Sequence, residues 1–161
     1  MRTYEYIIIH CSDSSWGSEN EIRKWHTDKG WKDTGYHFVI NNGKVKSNIY
    51  YDFMNGSIEL GRPIDQIGAH TKGYNENSIG ICLIGINEFT EKQFISLLNL
   101  VDQLMDRYNI PVENVLGHYE TEQANGKTCP NIDMSDFRSE ISKDENDTVN
   151  ILDNCKLERP N

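Results

Sequence analysis

Tyr4-Glu5-Tyr6-Ile7-Ile8-Ile9-His10 is the stretch on which the fold reading turns. Ile7, Ile8 and Ile9 form a continuous β-branched run rather than an alternating one, the pattern of a strand buried on both faces. The run predicts a buried first strand with His10 at its C-terminal end. A half-apolar N-terminus can also belong to an export signal, but Glu5 interrupts this one and no small-residue cleavage site follows.

Working outward, a helix is expected next. Ser18 and Glu21 make a capping box, Ile22 and Trp25 begin an apolar stripe, and Gly30 supplies the stop. Gly35-Tyr-His-Phe-Val-Ile40 then reads as a strand running into Asn41-Asn42-Gly43, a hairpin signal. Asn55-Gly56 is a second such signal ahead of Ser57-Ile-Glu-Leu60, so an extra ribbon carrying Tyr50, Tyr51 and Phe53 is expected between the two turns. Ser78 to Ile84 is another apolar strand. Thr90 and Gln93 form a second capping box, and Phe94, Leu97, Leu98, Val101, Leu104, Met105 and Tyr108 keep helical spacing up to Pro111. A short strand near Val115 delivers His118, and Met134 to Ile141 reads as a brief helix. Alternating strands and helices predict an α/β domain, a mixed central β-sheet flanked by helices, over residues 1–141. Residues 142–161 read as a polar, acidic tail without an assigned role, in which only Val149 to Leu152 offer apolar surface.

A chain of 161 residues that is 37% hydrophobic and has only four prolines can bury one real core. A net charge of −9 opposes long-range capture of a phosphate backbone, so nucleic acid is not an expected partner. No apolar stretch is long enough to cross a bilayer, so no membrane insertion is expected, and the chain is read as made in the cytoplasm without a signal peptide. Cysteines 11, 82, 129 and 155 form no short-spaced pair, so at least one should be free for other chemistry.

Histidine and cysteine are natural zinc ligands, and a catalytic zinc site uses three protein ligands so that a fourth position stays open. His10, His118 and Cys129 meet that need. Spacing alone leaves a bland alternative, a histidine at a strand end satisfied by ordinary hydrogen bonds, because no HExxH or CxxC pattern is present.

A series of ordered blocks adds what spacing lacks: Ile8-Ile-His-Cys-Ser12, Glu21-Ile-Arg-Lys-Trp-His26, Gly30-Trp31, Gly35-Tyr-His-Phe38, Gly61-Arg-Pro63, Gly68-Ala-His70, Gly73-Tyr-Asn75, Asn77-Ser-Ile-Gly80, Gly117-His118 and Lys127-Thr-Cys-Pro130. The series resembles the type 2 N-acetylmuramoyl-L-alanine amidases, whose fold is shared with the peptidoglycan recognition proteins and which include the small zinc amidase of T-odd coliphages. The resemblance implies an endolysin-like peptidoglycan hydrolase. Its reaction would cleave the amide between N-acetylmuramic acid and the L-alanine of the stem peptide by zinc-activated water, after release to the wall through a pore or lysis. It implies Zn²⁺ on His10, His118 and Cys129, with Tyr36 and Lys127 as active-site tyrosine and lysine. Peptidoglycan is the implied partner, and a monomer is expected.

Neighbouring residues in a strand face opposite ways, so Cys11 is expected to point away from a metal that His10 faces, and His37 away from the side of Tyr36. Cys11 and Cys82 read as buried packing residues, His26 as surface or packing, and Trp25 and Trp31 as core. The resemblance puts His70 near the cleft, as a substrate contact, a group behind the metal, or a structural hydrogen bond. Arg62, Lys72 and Asn77 are candidate contacts for stem-peptide carboxylates. Residues 41–61 and 121–126 look longer than the corresponding phage segments, which leaves substrate preference open. The rival from another class is a non-catalytic peptidoglycan-binding module, whose members have lost the zinc cysteine that Cys129 supplies here.

Overall fold

In the computed structural model, which describes residues 1–141, the isoleucine run lies within a five-stranded sheet. Strand β1 (Tyr6–Cys11) is flanked by β4 (Ser78–Leu83) and β5 (Val115–Gly117), and Ile7, Ile8 and Ile9 are fully buried. The order is β3-β2-β4-β1-β5, with β2 spanning Phe38–Asn42 and β3 spanning Asn55–Leu60. All pairings are parallel except β2 with β3, so the sheet is mixed as expected. The tail at 142–161, with Cys155, lies outside the described residues.

Helices cover both faces. Ile7, Ile9, Phe38, Ile40, Ile79, Ile81 and Leu83 share one core with Leu97, Leu100, Val101 and Leu104 of α2 (Glu91–Tyr108) and with Met134, Phe137 and Ile141 of α3 (Met134–Ile141). Each fully buried aliphatic side chain there contributes about 1.5–3 kcal/mol. On the other face Val39, Cys82 and Ile84 meet Ile22 of α1 (Glu19–Asp28), with Trp25 and Tyr36 against them. Ser18 caps α1 by accepting the Glu21 N–H, and the Thr90–Gln93 capping box of α2 is complete. Gln93 does more than cap: fully buried, it donates from Nε2 to the carbonyls of Ile40 and Ile84 at 3.1 and 2.9 Å. It thereby ties α2 to the ends of β2 and β4.

The expected pair of tight turns between 41 and 56 is not present. Strand β2 does pair antiparallel with β3, but the connection runs through residues 43–54 and holds only a 3₁₀ turn at Asp52–Met54. No extra ribbon forms there, and Asn55-Gly56 lies inside β3. Gly56 takes φ +81, and a Cβ on it would lie 2.8 Å from the carbonyl oxygen of Lys92. The glycine therefore serves the close approach of β3 to α2 rather than a turn.

Candidate active site

Parallel pairing of β1 with β5 brings the two histidines together. Ile9 is paired with Gly117, so the next residue on each strand, His10 and His118, emerges at the same end of the sheet. Their ring centroids are 4.6 Å apart. Cys129 arrives on the loop after the His118–Glu120 turn. That loop is clipped back onto the turn by the Tyr119 N–H donating to the Cys129 carbonyl at 2.9 Å. The Cys129 sulfur accepts the backbone N–H of Cys11 at 3.2 Å and lies 4.0 Å from Nδ1 of His10.

One donor atom from each of His10, His118 and Cys129 lies within 4.8 Å of the others, and among the described residues no further histidine, cysteine, aspartate or glutamate joins the group. Tetrahedral zinc with nitrogen and thiolate ligands separates its donors by about 3.3–3.8 Å, so a small contraction closes this set on one ion. The donor chemistry fits as well. Burial first, then His118 and Lys127, hold His10 well below the usual histidine range, and burial with Lys127 lowers His118. Both rings are therefore neutral, the form that gives a lone pair to a metal. Cys129 is pushed up by its hydrogen bond with the Cys11 thiol and by burial, and a cation among the three donors acts in the opposite sense by favouring thiolate.

Cys11 is buried, as expected, and meets the Cys129 sulfur through its backbone N–H, while its own thiol is not among the converging donor atoms. Cys82 is buried beside Tyr36. The Tyr36 ring centroid is 5.1 Å from that of His10. Burial, with the nearby Cys82, Cys129 and Cys11, keeps its phenol protonated well above the ordinary tyrosine range, so it is a hydrogen-bond donor.

His37 faces elsewhere. Its Nδ1 accepts the Gly80 N–H at 3.0 Å, so the proton sits on Nε2, which donates to the Gln66 carbonyl at 2.9 Å. Burial lowers it to about 4. Lys127 is exposed on the Cys129 loop, and its charge contributes to lowering both His10 and His118.

The remaining candidates divide. Arg62 donates from Nε and Nη1 to the carbonyls of Thr34 and Ile67 at 3.0 and 2.5 Å, which anchors one edge of its guanidinium to backbone. Lys72 is exposed and Asn77 half-buried. Trp25 packs as expected, whereas Trp31 is 44% exposed, its ring lying 4.4 Å from that of His26. His26 in turn accepts the Gly35 N–H. His70 is half-buried behind His10, with Nδ1 3.0 Å from Nε2 of His10. Thr71, Asn75 and Ser78 hold this region through hydrogen bonds and were not singled out in the sequence. Their signal lay in the Asn75 and Asn77-Ser78 blocks, where nothing separates a clamp from a turn residue.

Residues 1–132 match the family described as N-acetylmuramoyl-L-alanine amidase. The endolysin of Enterobacteria phage T3 is 37% identical over 144 residues, covering 82% of this chain and 83% of its own. The solved N-acetylmuramoyl-L-alanine amidase LysC from Clostridium intestinale URNW superposes with a TM-score of 0.72 at 26% identity, covering 88% of this chain and 87% of its own. Wild-type Drosophila PGRP-LB superposes with a TM-score of 0.64 at 26% identity, over 94% and 87% of the two chains.

Proposed function

The chain belongs to the N-acetylmuramoyl-L-alanine amidase family, and from that premise we propose that it hydrolyses peptidoglycan as a zinc amidase whose metal is held by His10, His118 and Cys129. The observation that carries the metal reading is the convergence of those three donor atoms within 4.8 Å. They arrive from the end of β1, the end of β5 and the following loop, and two of them are held in the neutral form by burial.

When bound, zinc supplies Lewis acidity, which polarises the scissile carbonyl and makes water more acidic. The protein's own groups do the rest. Attack of water on the amide between the lactyl group of N-acetylmuramic acid and L-alanine places negative charge on the carbonyl oxygen. The Lys127 ammonium, at the mouth, and the protonated Tyr36 phenol, at the wall, stabilise that charge. One of the two also passes a proton to the departing amine. Lys72, exposed next to the Thr71 that touches His10, is the proposed contact for the stem-peptide carboxylates. Asn77 precedes β4 at the end of the sheet away from His10 and is a contact only for a more distant part of the peptide. Arg62 holds the loop through Nε and Nη1, which donate to Thr34 and Ile67, and its Nη2 is the group that would meet the same carboxylates.

The donor set is complete within one chain, which supports action as a monomer. Among the described residues no helix is long and apolar enough to cross a membrane. Relatives of this kind include phage endolysins, and on that likeness this enzyme reaches the wall after release. The test is digestion of purified sacculi with and without a chelator. Release of stem peptides with a free L-alanine amino group, restored by added zinc and lost in Cys129→Ser, is the expected result. Release that is indifferent to chelator and to Cys129→Ser sinks the zinc reading.

A further inference from the structure

His10 presents Nδ1 to Cys129 and its other nitrogen to a different set of groups. Nε2 lies 3.0 Å from Nδ1 of His70 and 3.2 Å from Oγ1 of Thr71. A neutral imidazole that offers its Nδ1 lone pair carries its proton on Nε2. With His10 only 2% exposed, that proton needs an acceptor inside the protein.

His70 supplies one if its own proton is on Nε2, which lies 3.3 Å from Oγ of the buried Ser78. The Thr71 hydroxyl, 3.0 Å from Nδ1 of His70, bridges the two rings. The chain of donors then closes without conflict: His10 Nε2–H to His70 Nδ1, and His70 Nε2–H to Ser78 Oγ. Backbone and packing hold the ring where this works. Asn75 Oδ1 accepts the N–H groups of His70 and Thr71 at 2.8 and 2.9 Å. A Cβ on Gly80 would lie 2.5 Å from Cδ2 of His70, and one on Gly68 would lie 2.6 Å from the same atom. Neither glycine has a left-handed φ. Their lack of a side chain serves to seat this ring.

We propose that His70 is a positioning residue for the metal site rather than a substrate contact. It accepts the Nε2–H of His10 and so fixes the tautomer and ring orientation that present Nδ1 to the partners His118 and Cys129. Such partners behind a ligand commonly change metal affinity by about 10–100-fold. The inference rests on the zinc reading above for its effect on affinity, but not for its effect on the tautomer.

Two measurements separate them. Long-range ¹H–¹⁵N spectra of the metal-free, ¹⁵N-labelled protein report which nitrogen of His10 is protonated. The expected result is the Nε2–H tautomer in the wild type and a mixture of tautomers in His70→Ala. A wild-type His10 protonated on Nδ1 overturns the inference whether or not any variant folds. Competition with a chromophoric chelator reads zinc affinity, expected to weaken about 10–100-fold in His70→Ala and to recover in part in His70→Gln, whose amide oxygen can accept. Wild type without zinc binding overturns the zinc reading alone. Tight wild-type binding with unchanged affinity and tautomer in His70→Ala overturns the role of His70.

Discussion

The Cys129 sulfur accepts the backbone N–H of Cys11 at 3.2 Å, so the third donor is anchored to the residue that follows the first, His10. The bond orients the sulfur and stabilises its thiolate form, since an N–H aimed at sulfur favours negative charge there. Cys129→Ser keeps the shape but replaces a thiol by an alcohol that does not ionise near neutral pH. Zinc content measured after dialysis should fall well below one per chain. Amidase activity should drop by about 100-fold or more, since a bound metal supplies several kcal/mol of transition-state stabilisation.

Lys127 tests the charge at the mouth separately from the metal. It is exposed, so Lys127→Met should leave the fold intact. Loss of one donor to a developing oxyanion costs about 10²–10³ in kcat. Steady-state kinetics on soluble muropeptide should show that loss with zinc content unchanged. Full kcat in the variant would remove Lys127 from the reaction.

His37 gives the protein a pH dependence of known sign. It is buried and held at about 4, whereas an unfolded histidine titrates near 6.5. Above that value neither state is charged and the contribution is fully present. As pH falls the unfolded chain takes up the proton first, so stability declines through the window from 6.5 to 4. Between pH 7 and pH 5 this group alone accounts for about 2 kcal/mol, and His10 and His70, both lowered, act in the same direction. Urea unfolding at the two pH values should show a smaller difference for His37→Asn than for wild type.

Gln93 is the polar joint between α2 and the sheet. Gln93→Leu leaves the Ile84 carbonyl without its Gln93 donor, in a position with no exposure, while the Ile40 carbonyl keeps the Ile84 N–H at 3.0 Å. An orphaned buried acceptor costs about 1–3 kcal/mol, so unfolding should become easier by about that amount. Chemical denaturation reads this directly, and a loss below half a kcal/mol would show that water replaces the amide.

How much of this was legible differs from element to element. The α2 stripe and its cap read correctly because period and capping chemistry are local properties that folding leaves in place. The 41–61 stretch misled because a glycine after an asparagine looks the same whether it makes a turn or lets β3 approach α2, and the neighbour that decides lies some forty residues away. Trp31 misled for a related reason. Being large and apolar predicts burial only on average, and its place beside His26 leaves one side open.

By itself the sequence determined a mixed α/β domain and named His10, His118, Cys129, Tyr36 and Lys127, because hydrophobic period specifies strands and helices and ordered motifs carry residue identity. Only the tertiary structure decided that His10 converges with His118 and Cys129, both more than a hundred residues away, since the pairing of β1 with β5 is a long-range event that no local pattern encodes. It alone also decided which nitrogen of His10 faces Cys129, what stands behind the other, and that Cys11 borders the sulfur. Those relationships depend on how side chains from separate segments share a few ångströms of buried space.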